Sequence, residues 1–152
     1  MIKDVKPDNF NPKFEVVSCF VEFNSKILLL KRQFNKPQPN TYGVVAGKVE
    51  CDESIIEAIV REAREETGAD LLEDKLGFYK TKYVEYEEYH FVYHMFFYKL
   101  DQLVEIKIDP NSHQEYIWEY PEKCLELNLI QDLDKCIIDY YRINSEESEN
   151  IC

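Results

Sequence analysis

Residues Gly47 to Ala69 read GKVECDESIIEAIVREAREETGA, and the architecture is read outward from this stretch. Ser54 with Glu57 three residues later fits a capping box, in which each side chain satisfies an amide left open at a helix start. Gly68 stands where a helix ends on a residue that tolerates positive φ. Between them Ile55, Ile56, Ile59, Val60 and Ala63 recur at helical spacing and predict a buried stripe. Glu57, Arg61, Glu62, Glu65 and Glu66 fall largely outside it. The spacing predicts a helix over 54–67 with one apolar and one charged face.

Glu62, Glu65 and Glu66 lie at i, i+3 and i+4, so three carboxylates share one face within a turn. Such crowding destabilises a helix, most of all in the last turns, where the helix dipole is negative. Arg61 can reach Glu57 or Glu65, but one Arg does not neutralise the group. Hard oxygen donors clustered this way suit Mg²⁺ or Mn²⁺. For a bare EAREE segment a solvated helix face is the simpler reading, and only a longer pattern can decide against it.

On the N-terminal side, Phe14 to Phe23 alternates as a strand, Asn24-Ser25 signals a turn, and Lys26 to Arg32 (KILLLKR) reads as a returning buried strand. Gln33 to Asn40 carries Pro37 and Pro39 and reads as a loop. Tyr42 to Ala46 is a short strand running into Gly47. On the C-terminal side, Leu76 to Val84 and His90 to Leu100 flank the acidic Glu85 to Glu88 and read as a long hairpin. Glu115 to Glu119 is a further strand, and Leu129 to Arg142 an amphipathic helix with Leu133, Ile137 and Tyr140 or Tyr141 inward. Strands on both sides of one strong helix indicate an α/β or α+β chain. Residues 1–144 read as a single domain and Ser145 to Cys152 as an acidic tail.

The stretch from Gly47 resembles the Nudix box, G-x5-E-x7-R-E-U-x-E-E-x-G-U, with U a bulky aliphatic residue. Gly47, Glu53, Arg61, Glu62, Glu65, Glu66 and Gly68 fill its fixed polar and glycine positions with the required gaps. The aliphatic positions hold the smaller Ala63 and Ala69. Upstream, YGVVAGKVE stands where many members have a W-x-x-P-G-G-K-x-E-like stretch, so Tyr42, Val45 and Ala46 replace Trp, Pro and Gly. The order of strands, hairpin and final helix also resembles the family. The resemblance implies an α/β/α sandwich with a mixed sheet, and metal-dependent cleavage of nucleoside diphosphates linked to another moiety.

Carried over by position, Glu62, Glu65 and Glu66 would hold or surround the metal, with the carbonyl of Gly47 a further ligand. Arg61 and Glu53 would pair and fix the carboxylates. Glu62 or a neighbour would help activate water, which a metal makes more acidic. Glu115 lies in SHQEYIW, similar to a His-x-Glu-x-x-Trp neighbourhood late in many members, where an acidic residue supplies another ligand or the general base. An exposed strand-end Glu is the plainer reading. Glu87 and Glu88, rivals for that role, read better as a charged hairpin tip.

Lys48, Arg32 and Lys31 could touch phosphate, Lys48 being nearest the box; Tyr42, Phe34 and Trp118 could stack on a base, with core packing the alternative for each. His90 and His94 share a strand face and read as core or edge histidines. Cys51 has no partner that would make it a nucleophile.

Composition excludes several classes. At 152 residues with net charge −12, the chain repels bare nucleic acid and anionic membranes, and no apolar run is long enough to span a bilayer. A polyanionic substrate would also be repelled unless cations bridge it to the protein. Five cysteines without a CxxC pair point away from a disulfide framework or structural zinc and toward a reducing cytoplasm. The expected substrate is a small nucleotide, a nucleoside triphosphate first, with nucleotide sugars or ADP-ribose next. A module that binds nucleotide without cleaving it is the rival; it could lose Glu62 or Glu66 freely, and both are present. A homodimer stays open.

Overall fold

In the strand Lys26–Arg32 four successive residues, Ile27 to Leu30, are at most 1% exposed. Because strand side chains alternate, Leu28 and Leu30 join one apolar cluster while Ile27 and Leu29 join another. A strand apolar on both faces must lie between two covering layers. The computed structural model, which describes residues 1–143, shows them.

The strands are β1 (Ile2–Lys3), β2 (Pro12–Phe23), β3 (Lys26–Arg32), β4 (Tyr42–Gly43), β5 (Val45–Lys48), β6 (Gly77–Glu85), β7 (His90–Lys99) and β8 (His113–Glu119). The helices are α1 (Ile55–Thr67), α2 (Pro121–Cys124) and α3 (Leu133–Tyr141), with a 3₁₀ turn at Glu73–Lys75. One mixed sheet runs β1-β6-β7-β2-β3-β4, with β5 on β2 and β8 on β3. The β2–β7 pairing is parallel and the others are antiparallel. β2 gives Val16 to Cys19 to β5 and only Glu22 and Phe23 to β3. Residues 42–48 therefore pass from the side of β3 to the side of β2.

On one face Ala58, Ile59 and Ala63 of α1 pack over Val17, Cys19, Val21, Leu28, Leu30 and Val45. On the other, Cys124 of α2 and Leu133, Cys136 and Ile137 of α3 cover Phe20, Ile27, Leu29 and Met95. This is the α/β/α sandwich with a mixed sheet that the family resemblance implied.

Several elements differ from the sequence expectation. Ile56 is 40% exposed, because the core-facing arc of α1 is centred on Ile59 and Ala63 and takes in Ala58 and Thr67 instead. The expected strand from Tyr42 to Ala46 splits in two at Val44. α3 starts at Leu133 rather than Leu129. Residues ahead of it pair with the sheet edge: the Tyr42 amide donates to Asn128 O, the Ile130 amide donates to Tyr42 O, and Asp132 sits at φ 68°. β1 and α2 were not anticipated. The expected acidic tail, Ser145 to Cys152, lies outside the described residues.

An ion network ties the N-terminal segment to α3. Lys82, only 6% exposed, places Nζ 2.8 Å from Asp4 and 2.9 Å from Asp139, and Lys80 reaches Asp139 at 3.2 Å. Burial alone would raise the Asp139 pKa, but the two lysines outweigh it and hold the carboxyl below its ordinary value. Burial likewise works against the Lys82 charge, and its two carboxylate partners more than offset it. Among the described residues no helix is long and apolar enough to cross a membrane.

Candidate active site

The capping box at the start of α1 is formed: the Glu57 amide donates to Ser54 Oγ at 3.0 Å and the Ser54 amide to Glu57 Oε1 at 2.9 Å. At the other end Gly68 has φ 76° and donates to Arg64 O. A side chain there would strain the backbone. Between these caps Arg61 is the hub. Its Nε and Nη2 grip both oxygens of Glu53 at 2.6 and 3.0 Å. Its Nη1 donates to Glu62 at 2.9 Å and Glu65 at 3.1 Å, and Nη2 also donates to the Lys48 carbonyl at 3.0 Å. Glu53 also accepts from the Glu50 amide, which fixes the loop before the helix. The Arg61–Glu53 pair read from the sequence is thus present, and it clamps β5 to α1.

Glu66 points the other way, accepting from the Ala46 amide at 3.1 Å. Burial, then the charge of Glu62, raises its pKa well above the ordinary carboxylate value, while Arg32 pulls in the opposite direction. Glu62 is also raised, burial again being the main cause. Gly47 lies against the Glu62 carboxylate so closely that a Cβ would collide with it.

Among the described residues no three His, Cys, Asp or Glu side chains close on a common point. Arg61 draws Glu62 and Glu65 to itself, and Glu66 turns to Ala46. The residues nevertheless fit a divalent cation. The donors are all hard oxygens, two are disfavoured as bare anions, and the missing side chain at Gly47 lets the Glu62 carboxylate lie against the Gly47 backbone. Gly47, Glu62, Glu65 and Glu66 are the residues that could hold it.

Glu66, Ala46, Gly47 and Lys48 also line a cavity of about 540 Å³. It continues past Arg32, Gln38 and His113 to a wall of Phe14, Tyr86, Tyr89, Phe91 and Tyr93, closed by Gln131 and Asp132 ahead of α3. Phe14 stacks on Phe91 with ring centroids 5.3 Å apart, and Lys48 Nζ lies 4.2 Å from the Phe14 centroid. Arg32 donates Nε to Pro37 O, and its Nη atoms have no partner among the described residues. Two cations, acidic groups and stacked aromatic rings around one volume suit a ligand with phosphates and a flat ring.

Lys48 and Arg32 thus border the cavity, whereas Tyr42 does not. Its hydroxyl binds Glu115 at 2.5 Å, which pushes its pKa up to about 12, and Lys31 Nζ sits 5.8 Å from its ring. Glu115 and Tyr42 are brought to each other, and no hydrogen bond or ion pair among the described residues joins either to the box carboxylates. Phe34 is 74% exposed and Trp118 packs on Phe23, so neither lines the cavity. His94 bonds Thr81 and Glu15, and His90 accepts from the Asn11 amide, as supporting histidines do. Glu87 and Glu88 are an exposed bend. Sequence reasoning missed His113, Asp132 and the aromatic wall. The alternation of Phe91 with Tyr93 along one strand was the available signal for the wall.

The NUDIX domain family model matches residues 12–140. Over 115 residues, 76% of this chain and 82% of its relative, the sequence is 32% identical to the CTP pyrophosphohydrolase of Escherichia coli K12. Over 52 residues, 34% of this chain and 30% of its relative, it is 46% identical to the ADP-ribose pyrophosphatase of Methanocaldococcus jannaschii. The solved MutT protein of Methanosarcina mazei Go1 superposes with a TM-score of 0.76 at 24% identity, covering 89% of this chain and 97% of that one. At that identity the likeness speaks for the fold alone.

Proposed function

This chain belongs to the Nudix family of hydrolases, and from that premise we propose that it cleaves a nucleoside triphosphate to a monophosphate and pyrophosphate, with Mg²⁺ or Mn²⁺ as cofactor. One observation carries the choice of a nucleotide. Gly47 and the Glu66 carboxylate of the box, two cationic side chains and an aromatic wall border a single continuous cavity. The 32% identity to a CTP pyrophosphohydrolase favours a triphosphate. The shorter match to an ADP-ribose pyrophosphatase makes nucleoside diphosphates with a second moiety the next reading.

In this proposal Glu62, Glu65 and Glu66 hold the cation, with the Gly47 carbonyl. When bound, the metal offsets phosphate charge and makes water more acidic. The rest is work of the chain's own side chains. Arg61, saturated by Glu53 and Lys48 O, keeps Glu62 and Glu65 at fixed positions on the helix. Arg32 and Lys48 take phosphate oxygens, Arg32 through its two Nη atoms. Phe14, Tyr89 and Phe91 receive the base and exclude water from that side. Glu62 accepts the proton of the attacking water, with Glu115 the alternative base. Glu115 would first have to give up its hydrogen bond with Tyr42.

The test is a panel of nucleoside triphosphates, nucleotide sugars and ADP-ribose with Mg²⁺, scored by product. Monophosphate and pyrophosphate from at least one triphosphate, at a rate above that for ADP-ribose, is the expected result. Faster cleavage of ADP-ribose would move the assignment to the second class, and no cleavage of any member would overturn the hydrolytic reading.

A further inference from the structure

His113 is 6% exposed, yet neither nitrogen of its ring has a hydrogen-bond partner among the described residues. Its Nδ1 is sealed from solvent. The backbone around it is fully engaged. The His113 amide donates to Asp109 O at 2.9 Å, and its carbonyl accepts from Gln33 Nε2 at 3.1 Å. The ring is therefore held in place by its own strand and loop while its polar atoms do nothing for the fold. A buried polar group without a partner is destabilising, and native structures rarely keep one without a reason.

With Nδ1 sealed, Nε2 is the ring nitrogen left for a ligand. His113 lines the cavity beside Arg32, its cross-strand partner, whose Nη atoms are also open. The other polar groups nearby are already committed. Gln38 Oε1 accepts from the Gln131 amide, and Asp132 is bound by Tyr86 and Lys135. A guanidinium fork and an imidazole side by side, both without partners, match a doubly accepting anionic oxygen group. We infer that His113 is a substrate-contacting residue that donates a hydrogen bond to the phosphate chain of the nucleotide held by Arg32. This inference rests on the nucleotide reading above.

Replacing His113 by Phe keeps a ring in the cavity wall and removes the donor, while Gln can restore an N–H near Nε2. His113→Phe is expected to raise KM for the triphosphate, and Kd for its α,β-methylene analogue, about tenfold. Turnover at saturation, Mn²⁺ affinity and melting temperature should stay near those of the parent, and His113→Gln should recover most of the lost affinity. If the parent cleaves triphosphates and His113→Phe keeps its KM and Kd, the inference falls and the function stands. If the parent neither binds nor cleaves any triphosphate, both fall. Should His113→Phe fail to fold, ring-¹⁵N spectra of the parent decide, since the chain has only 3 His. The His113 ring signals must shift when α,β-methylene-CTP is added, and an unmoved ring overturns the contact.

Discussion

Arg61→Ala removes one guanidinium from five acceptor contacts, and the loss can be apportioned from the exposure of each partner. Glu65 has a side chain 58% exposed, so water replaces its bond and little is lost. Glu53 and Glu62 have side chains only 13% and 12% exposed. Each is left as a carboxylate that water reaches poorly. Stripping the partner from a well-buried ion pair costs about 3–5 kcal/mol. Arg61 itself is 20% exposed, which places this change near the lower end, at about 3 kcal/mol. For a chain of this length that corresponds to a fall of roughly 6–12 °C in melting temperature. Because the same bonds orient Glu62 and Glu65, turnover should fall about ten- to a hundredfold as well. Circular dichroism melts without metal measure the first effect, and initial rates at saturating Mg²⁺ the second. Arg61→Lys should recover part of the stability but little of the rate, since an ammonium cannot grip both oxygens of Glu53. A melt within about 1 °C of the parent and an unchanged rate would refute the hub role.

Chelation by EDTA should abolish hydrolysis, and added Mg²⁺ or Mn²⁺ should restore it; full activity in metal-free protein would sink the cation proposal. Glu66→Gln should weaken Mn²⁺ binding and cut turnover severely while leaving metal-free melting unchanged or slightly raised, because a buried charge beside Glu62 is relieved. Gly47→Ala should lower activity at least tenfold by displacing the Glu62 carboxylate, measurable as an altered Mn²⁺ titration. Asp139→Asn tests the ion network through pH. The depressed Asp139 pKa means its contribution is present above the unfolded value of about 3.9 and lost as pH falls through the folded one. Parent and variant melts should therefore differ at pH 6 and draw together as pH falls below about 3.9. The raised Lys82 pKa gives the converse at the alkaline end, with stability present below about 10.4 and lost as pH rises further.

What could be read from the sequence was whatever depends on short-range spacing. The capping box, the Gly68 stop and the carboxylate face of α1 are set by offsets of a few residues, whereas the pairing of Arg61 with Glu53 was legible only through the family resemblance. The double-faced strand Lys26–Arg32 was legible because its apolar run is unbroken. The cavity was not. Phe14, Phe91, His113 and Asp132 come from four separate places in the chain. Pairing of β2 with β7 and of β3 with β8 brings in the first three, and the bridge between Tyr42 and Leu129 holds the segment that carries Asp132. Tyr42 was open to two readings, a base-stacking ring or core packing. The pairing of β4 with β3 sets its hydroxyl against Glu115, a contact that nothing in the local sequence announces. The early start given to α3 failed because Leu129 and Ile130 are apolar for the sake of the sheet edge rather than the helix.

The parallel pairing of β2 with β7 sets a clock on assembly. Val16 lies beside both Lys48 and Tyr93, and the first contact closes a far shorter loop than the second. Contacts between distant parts of a chain form late, since loop-closure entropy is lost before they return anything. β2, β5 and α1 can thus come together as a local unit, carrying Arg61 and its carboxylates, before the β6–β7 hairpin delivers the aromatic wall. Pulse-labelled hydrogen exchange during refolding should show the amides of β5 and α1 protected ahead of those of β7. A half-folded chain would then present an assembled acidic helix to metal while still lacking any surface that selects a nucleotide.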